Sequence, residues 1–360
     1  MDFSNIRALL NKTVATGLGD LLHGVELGNE LIKGYVHADQ MATDFKTLSE
    51  IIKTVWSGRP QQPIIAGADE IRNMPTFLKA VGPGVLTAAT FHMYGNCGHD
   101  PAPHHKPFPP VSAPGFALQP LCLDNSNAGG SLAAYVAQVK QNAPAGTKAF
   151  IGECALTGGG GVDRTTNAFV SSMWYADWLA NAAMHGVSAV FRETLMGGYY
   201  EIVNKTTYLP NPDAFTMSLF SHLMGPKVLR AHLNITVPAG ASTNASQMLR
   251  GYAHCTRAAG GGATVLLINL GSDTEFTISF AATEEVHAAG MMEWHLTAPM
   301  GDIHAQSIEL NGELLALEHN NTAMPLMAGK PSDGSASVSV GAASVVFVQL
   351  PAAMSPSGCQ

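Results

Sequence analysis

Charge is scarce in this 360-residue chain: Asp, Glu, Lys and Arg together make up 13% of it, and the formal balance is −8. That sign gives no general attraction to nucleic acid or anionic lipid, and no dense cluster of Lys and Arg supplies one locally. Nucleic acid is therefore not an expected partner. Long apolar runs are lacking too, and none approaches the roughly 18 residues that a membrane-spanning helix needs. The opening segment, MDFSNIRALLNKTVATG, has neither the charged end, the apolar stretch nor the cleavage site of a signal peptide. Cysteine is rare. The five that occur fit no zinc spacing such as C-x2-C, and His99, His104 and His105 sit in a proline-rich loop with no cysteine or carboxylate pattern to match. No metal or other cofactor is expected.

What is present is apolar bulk. Residues of that kind make up 46% of the sequence, enough for a sizeable core, and the length calls for two domains or one large α/β barrel with an appendage. Asn-X-Ser/Thr triplets occur at Asn11, Asn204, Asn234, Asn244 and Asn320, more than chance provides in this length. They point to a glycosylated protein of the secretory route: secreted, extracellular, lysosomal or vacuolar, or held at the periphery of a membrane. With no signal peptide in view, the true beginning of the protein is expected upstream. The cysteines leave two readings open: bridges Cys255–Cys359 and Cys97–Cys122 with Cys154 left over, or five thiols.

Along residues 1–225 strands alternate with helices. Short apolar runs near 25, 64, 88, 149 and 189 read as strands, and Met41, Phe45, Leu48, Ile51, Ile52 and Val55 recur at helical spacing over 39–56. Phe169, Met173, Trp174 and Trp178 form an apolar stripe on a later helix, and the last helix runs from Asp213 to Leu223. Such alternation predicts parallel strands with helical crossovers. From about 226 to 360 the texture changes to short β-rich runs separated by Gly, Asn, Ser and Pro, including the Asn-Gly hairpin signal of LNGELL, which predicts an antiparallel β-sandwich.

In a parallel α/β barrel the working side chains stand at the C-terminal ends of the strands. Those ends here carry Asn29 and Glu30, then Asp69, then His92 and Tyr94, then Glu153, then Arg192 and Glu193. Singly, Glu30 and Glu153 read as helix caps or ion-pair partners. As a pair on two strands of one barrel, they are what glycoside hydrolysis requires: one carboxyl protonated to assist the leaving oxygen, the other ionised to attack the anomeric carbon. A lone His92 defaults to a hydrogen-bonded core residue, the GGGG run after Glu153 to a flexible loop, and Arg192 to an anchor of its strand.

The blocks VELGNEL, FHMYGN, AFIGECALTGGGG, FRETLMGGYYEIVNKTTYLPNPDAF and SLFSHLMGPKVL, in that order, resemble those of the heparanase-like family, glycoside hydrolase family 79. The resemblance runs from about residue 5 to 350 and leans toward the plant and algal branch. It implies a (β/α)8 barrel followed by a β-sandwich, and a retaining β-glucuronidase, endo- or exo-acting, on glucuronic-acid-containing glycans or glucuronides. By motif position Glu30 would be the acid/base, Glu153 the nucleophile, and Asn29 the partner of the sugar 2-hydroxyl. Tyr94 would contact the nucleophile and His92 would line the same subsite. Gly159 and Gly160 would hold a uronate carboxylate, aided by Tyr200. Glu26 reads as structural. The family's tie between a sandwich strand and the chain end implies the Cys255–Cys359 bridge.

Two departures stand out. Where heparan-cleaving members carry a basic segment after the fifth strand, this chain has DEIRNMP, so a less sulfated glucuronide is the expected substrate. Family members also begin with three strand–helix units and a sandwich strand before the Asn-Glu block, and here only some 24 residues precede it. A partial barrel of strands 4 to 8 is therefore expected in 1–225, with an N-terminal barrel segment missing. The competing readings are an inactive glycan-binding relative and a hydrolase of another family in the same barrel clan acting on neutral glucosides or xylosides.

Overall fold

The computed structural model describes residues 2–70, 73–94, 132–235, 248–257, 261–280, 290–333, 337–354 and 357–359. Cys97, Cys122, His99, His104, His105 and Asn244 lie outside the described residues. The chain divides into two compact units. The first holds the described residues of Met1–Tyr94, Ser126–Cys154 and His185–Phe191; the second holds those of Ala155–Met184 and Arg192–Gln360.

The first unit alternates as its apolar runs dictate. Helix α1 (Ser4–Ala15) leads to strand β1 (Gly24–Glu26), then α2 (Ala38–Val55), β2 (Ile64–Gly67), α3 (Met74–Val81), β3 (Ala88–Tyr94), α4 (Leu132–Asn142) and β4 (Lys148–Ala155). After α5 (Phe169–His185), strand β5 (Ala189–Arg192) completes a five-stranded sheet in the order β1-β2-β3-β4-β5. Strands β1 and β2 pair in parallel with Gly24 opposite Ile64, and β2 and β3 do so with Ala66 opposite Ala88. The five strands stand where the alternation puts them. Helix α1 was not legible, since Leu10 is its one buried residue and its apolar stripe is correspondingly weak.

Helix α2 buries Met41, Phe45, Leu48, Ile51 and Ile52, one face at helical spacing. Its Phe45 meets Phe77 of α3 edge-on at 5.2 Å and lies over Gly67, where an added Cβ would fall 2.2 Å from the ring. Only glycine lets the helix approach that closely. The hydroxyl of Tyr135 on α4 lies 2.8 Å from the carbonyl of Ala89 and 2.7 Å from that of Phe150, so one phenol fixes β3 and β4, the strands that carry His92 and Glu153. Ala66, Ala88 and Phe150 share an apolar cluster with Ile64 and Ala189, which spans four neighbouring strands.

In the second unit, Pro212 opens helix α6 (Pro212–Leu223), where its missing N–H costs nothing. An eight-stranded antiparallel sheet follows. Its path β12-β11-β10-β15-β8-β7-β6 comprises β6 (Met224–Leu229), β7 (Leu249–Thr256), β8 (Ala263–Asn269), β10 (Met292–Thr297), β11 (Glu309–Leu310), β12 (Glu313–Leu314) and β15 (Ser344–Leu350), with β13 (Lys330–Pro331) also pairing with β10. A second sheet pairs β9 (Phe276–Ser279) with β14 (Ser337–Val340). Val338 and Val340 of that small sheet share one core with Leu249, Leu267, Val346 and Val348 of the large one. The expected hairpin is present: Asn311 and Gly312 both take positive φ, 53° and 85°, as a two-residue primed turn demands.

A disulfide joins Cys255 of β7 to Cys359, with the Cα atoms 5.3 Å apart. The stripe on α5 is buried as expected, but so is nearly every other side of that helix, so no single face packs. No helix of the described residues is long and apolar enough to cross a membrane.

Candidate active site

Four strands of the first unit bring ionisable groups to one place. Residues two apart on a strand share a face, and Thr90, His92 and Tyr94 of β3 do so here. Glu153 projects from β4. Glu26 ends β1, and Glu30 follows four residues later with φ 51°; Asp69 follows β2 with φ 66°. The left-handed backbone is uncommon for residues with a Cβ and concentrates at working sites.

The side chains converge on one imidazole. Nδ1 of His92 lies 3.1 Å from Oε1 of Glu30 and 3.4 Å from Oε2 of Glu153, while its Nε2 lies 3.3 Å from Oδ1 of Asp69. The ring is 6% exposed, and the Glu30 and Glu153 side chains 30% and 25%, so the two glutamates remain open to a ligand. The hydroxyl of Tyr94 donates to Oε1 of Glu153. The hydroxyl of Thr90 donates to Oδ1 of Asp69 at 2.7 Å and accepts that residue's backbone N–H at 3.1 Å.

Electrostatics follow from this crowding. Burial opposes charge on His92, yet the hydrogen bond and charge of Asp69, the charge of Glu153 and the hydrogen bond to Glu30 outweigh it and push the ring up to about 9. Asp69 also suffers desolvation, but hydrogen bonds from His92, Glu26 and Thr90 hold it below the usual carboxylate range. Glu26 is exposed as a residue, but its carboxyl end is crowded. Desolvation first, then the hydrogen bond and like charge of Asp69, raise it to about 7. At neutral pH the cluster thus combines a charged imidazole, an ionised Asp69 and a carboxyl that still holds its proton part of the time.

Of the residues singled out from sequence, Glu30, His92, Tyr94 and Glu153 are brought together, and Asn29 lies beside Glu30 at the exposed strand end. Glu26 does not stand apart as a structural carboxylate; it is part of the titrating cluster. Asp69 stood out only as a polar strand end, and its tie to His92 went unread. Each strand that feeds the cluster ends in an acid or in His-x-Tyr, but strand ends alone do not say which of these groups meet.

Gly159, Gly160 and Tyr200 belong to the second unit. Gly159, Gly160 and Gly161 take positive φ in succession, at 68°, 93° and 78°. This turn packs on the 198–200 loop: the carbonyl of Gly160 accepts the N–H of Tyr199 at 2.6 Å, and a Cβ on Gly198 would fall 2.7 Å from that same oxygen. Arg192 is paired with buried Asp213 at 2.9 Å, and Ser171 and Ser172 of α5 donate to the same carboxylate.

The model of the glycosyl hydrolase family 79 N-terminal domain matches residues 1–180. Heparanase-like protein 2 of Arabidopsis thaliana is 30% identical over 77% of this chain and 48% of its own length. Baicalin-beta-D-glucuronidase of Scutellaria baicalensis is 28% identical over 100% of this chain and 64% of its own. The chain therefore spans about half to just under two-thirds of the length of the curated relatives it matches. Its fold is similar to that of a family 44 xyloglucanase of Paenibacillus polymyxa, with TM-score 0.62 at 12% identity over 96% of this chain and 70% of that one. A family model covering half of the chain, and a relative sharing nearly a third of its residues over three-quarters of it, make the same assignment as the ordered sequence blocks: the chain belongs to glycosyl hydrolase family 79.

Proposed function

We propose that this protein is a retaining glycoside hydrolase of β-glucuronidase type, with Glu30 as acid/base and Glu153 as nucleophile. One observation carries the reading: a single imidazole nitrogen, Nδ1 of His92, touches both carboxylates. Two carboxylates within reach of one atom stand close together, which favours the separation of about 5–5.5 Å that retention uses over the 6.5–9.5 Å that leaves room for an inverting water. In the first step Glu30 gives its proton to the leaving oxygen while an oxygen of Glu153 bonds to the anomeric carbon. In the second, Glu30 takes a proton from water, whose oxygen displaces Glu153.

Tyr94 restrains the charge of Glu153 through its hydrogen bond, and Asn29 serves the sugar 2-hydroxyl. Gly159, Gly160 and Tyr200 are assigned to a uronate carboxylate; the run of positive-φ glycines supports an anion-binding role, since backbone N–H groups bind anions in such turns elsewhere. A glucuronide or a weakly sulfated glucuronic-acid glycan is the substrate, in keeping with the glucuronidase among the relatives. On this reading 1–225 corresponds to strands 4 to 8 of a (β/α)8 barrel and 226–360 to the C-terminal β-sandwich, in a protein of the secretory route.

The test is hydrolysis of an aryl β-glucuronide beside the matching glucoside and xyloside, with proton NMR of the first-formed anomer. Release of β-glucuronic acid from the glucuronide alone is expected. Glu153→Gln should lower kcat by several orders of magnitude, since nothing replaces the nucleophile. A 2-fluoro-glucuronide that labels Glu30 instead of Glu153 reverses the roles, and faster turnover of the neutral glycosides removes the uronate assignment.

A further inference from the structure

The proposed reaction uses Glu30, Glu153, Tyr94 and His92 and leaves two carboxyls behind them without a role. Asp69 is 3% exposed, closed off from solvent. It is nonetheless held on several sides. Its backbone sits in the left-handed region, Thr90 bonds both its N–H and its Oδ1, and Glu26 crowds it from β1. A non-glycine residue held in that conformation, buried and bonded on several sides, has its position over-determined.

From this geometry we propose that Asp69 is a positioning residue for glycoside hydrolysis: by holding Nε2 of His92 it turns Nδ1 toward Glu30 and Glu153 together, and Glu26 completes the chain of contacts behind it. The inference rests on the proposed roles of the two glutamates. Each nitrogen of an imidazole is set by what the other one meets. With Nε2 committed to a carboxylate, the ring cannot flip without exposing Asp69 to a C–H edge. Among the described residues, the groups that act on His92 and Asp69 are Glu26 at the end of β1, Glu30 beyond it, Thr90 on β3, Glu153 on β4, and Tyr135 from α4. All but the hydroxyls are acids, so a charged imidazole is the group that balances them. The elevated value of His92 and the depressed one of Asp69 agree with that arrangement.

The test compares the full chain with Asp69→Asn, which keeps size and loses charge, and with Thr90→Val, which loosens Asp69 without touching it. Two readouts are taken. On an aryl β-glucuronide, Asp69→Asn is expected to lose roughly ten-fold or more in kcat, part of what a placed acid–base group contributes, while KM changes by less than about two-fold. By NMR of the His92 ring, the wild-type imidazole should remain charged above pH 8 and that of Asp69→Asn should titrate at least about one unit lower, with Thr90→Val between them. Unchanged kcat and unchanged ring titration in Asp69→Asn overturn the proposal while the glucuronidase reading stands. If the wild-type chain hydrolyses no glycoside, that reading fails by itself, and the ring titration still decides whether Asp69 governs His92. Circular dichroism at each pH confirms that all three proteins are folded.

Discussion

His92 carries its proton against its own burial, and the consequence reaches stability as well as catalysis. Its value in the folded chain, about 9, lies above the ordinary 6.5, so the stability it contributes is complete below about 6.5 and is lost as pH rises through 9. Glu26 is raised from 4.5 to about 7, so its share is complete below 4.5 and is lost as pH rises through 7. Asp69 runs the other way: it is held below its ordinary value of 3.8, so its share is present above 3.8 and is lost as pH falls through its lowered folded value. The melting temperature is therefore expected to peak in mildly acid solution and to fall toward pH 9. His92→Gln should flatten the fall above pH 6.5 whatever it does to absolute stability. A melting profile equally steep there in wild type and His92→Gln would show that the imidazole does not carry the proton assigned to it.

At the level of elements, the contact of α2 with the end of β2 depends on Gly67. A methyl there meets Phe45, which is fully buried and backed by Phe77, so neither ring has room to give way. Gly67→Ala should cost about 1–3 kcal/mol, the usual range for overpacking a filled core, and should lower activity as well, since Asp69 lies two residues on. Denaturant melts check the first effect and glucuronide turnover the second. The Cys255–Cys359 bridge ties β7 to the last turn across a separation of 104 residues. Disulfides typically stabilise by about 2–4 kcal/mol, toward the upper end when the closed loop is long. Cys255→Ser with Cys359→Ser should lower stability by that order and leave KM for the glucuronide unchanged; peptide mapping that finds both as thiols in the oxidised protein removes the bridge.

For the whole molecule, the first unit's sheet ends in β1 and β5 among the described residues, and apolar side chains stand exposed close to both: Leu21 at 78%, three residues before β1, and Phe191 at 53% on β5 itself. Strand edges with apolar neighbours recruit other chains. The 360-residue chain expressed by itself is expected to self-associate at micromolar concentration. Light scattering behind a sizing column reads this directly, and a single monomeric peak across that range would sink the expectation. Leu21→Glu with Phe191→Lys should shift the population toward monomer.

Hydrophobic period determined the elements, because the spacing of Met41, Phe45, Leu48, Ile51 and Ile52, and the short apolar runs at 25, 64, 88, 149 and 189, are local properties of the chain. Turn chemistry determined the Asn311–Gly312 hairpin for the same reason. Ordered blocks around Glu30 and Glu153 pointed to the family, since a reaction that needs two carboxylates leaves them at two strand ends. Helix α1 escaped because a helix with one buried residue carries almost no periodic signal. That Glu26 and Asp69 stand behind His92 belonged to the tertiary structure alone. Their partners come from four strands spread from Glu26 to Glu153, more than a hundred residues of chain, and a proton shared among acids exists only once the sheet has placed them within hydrogen-bond reach.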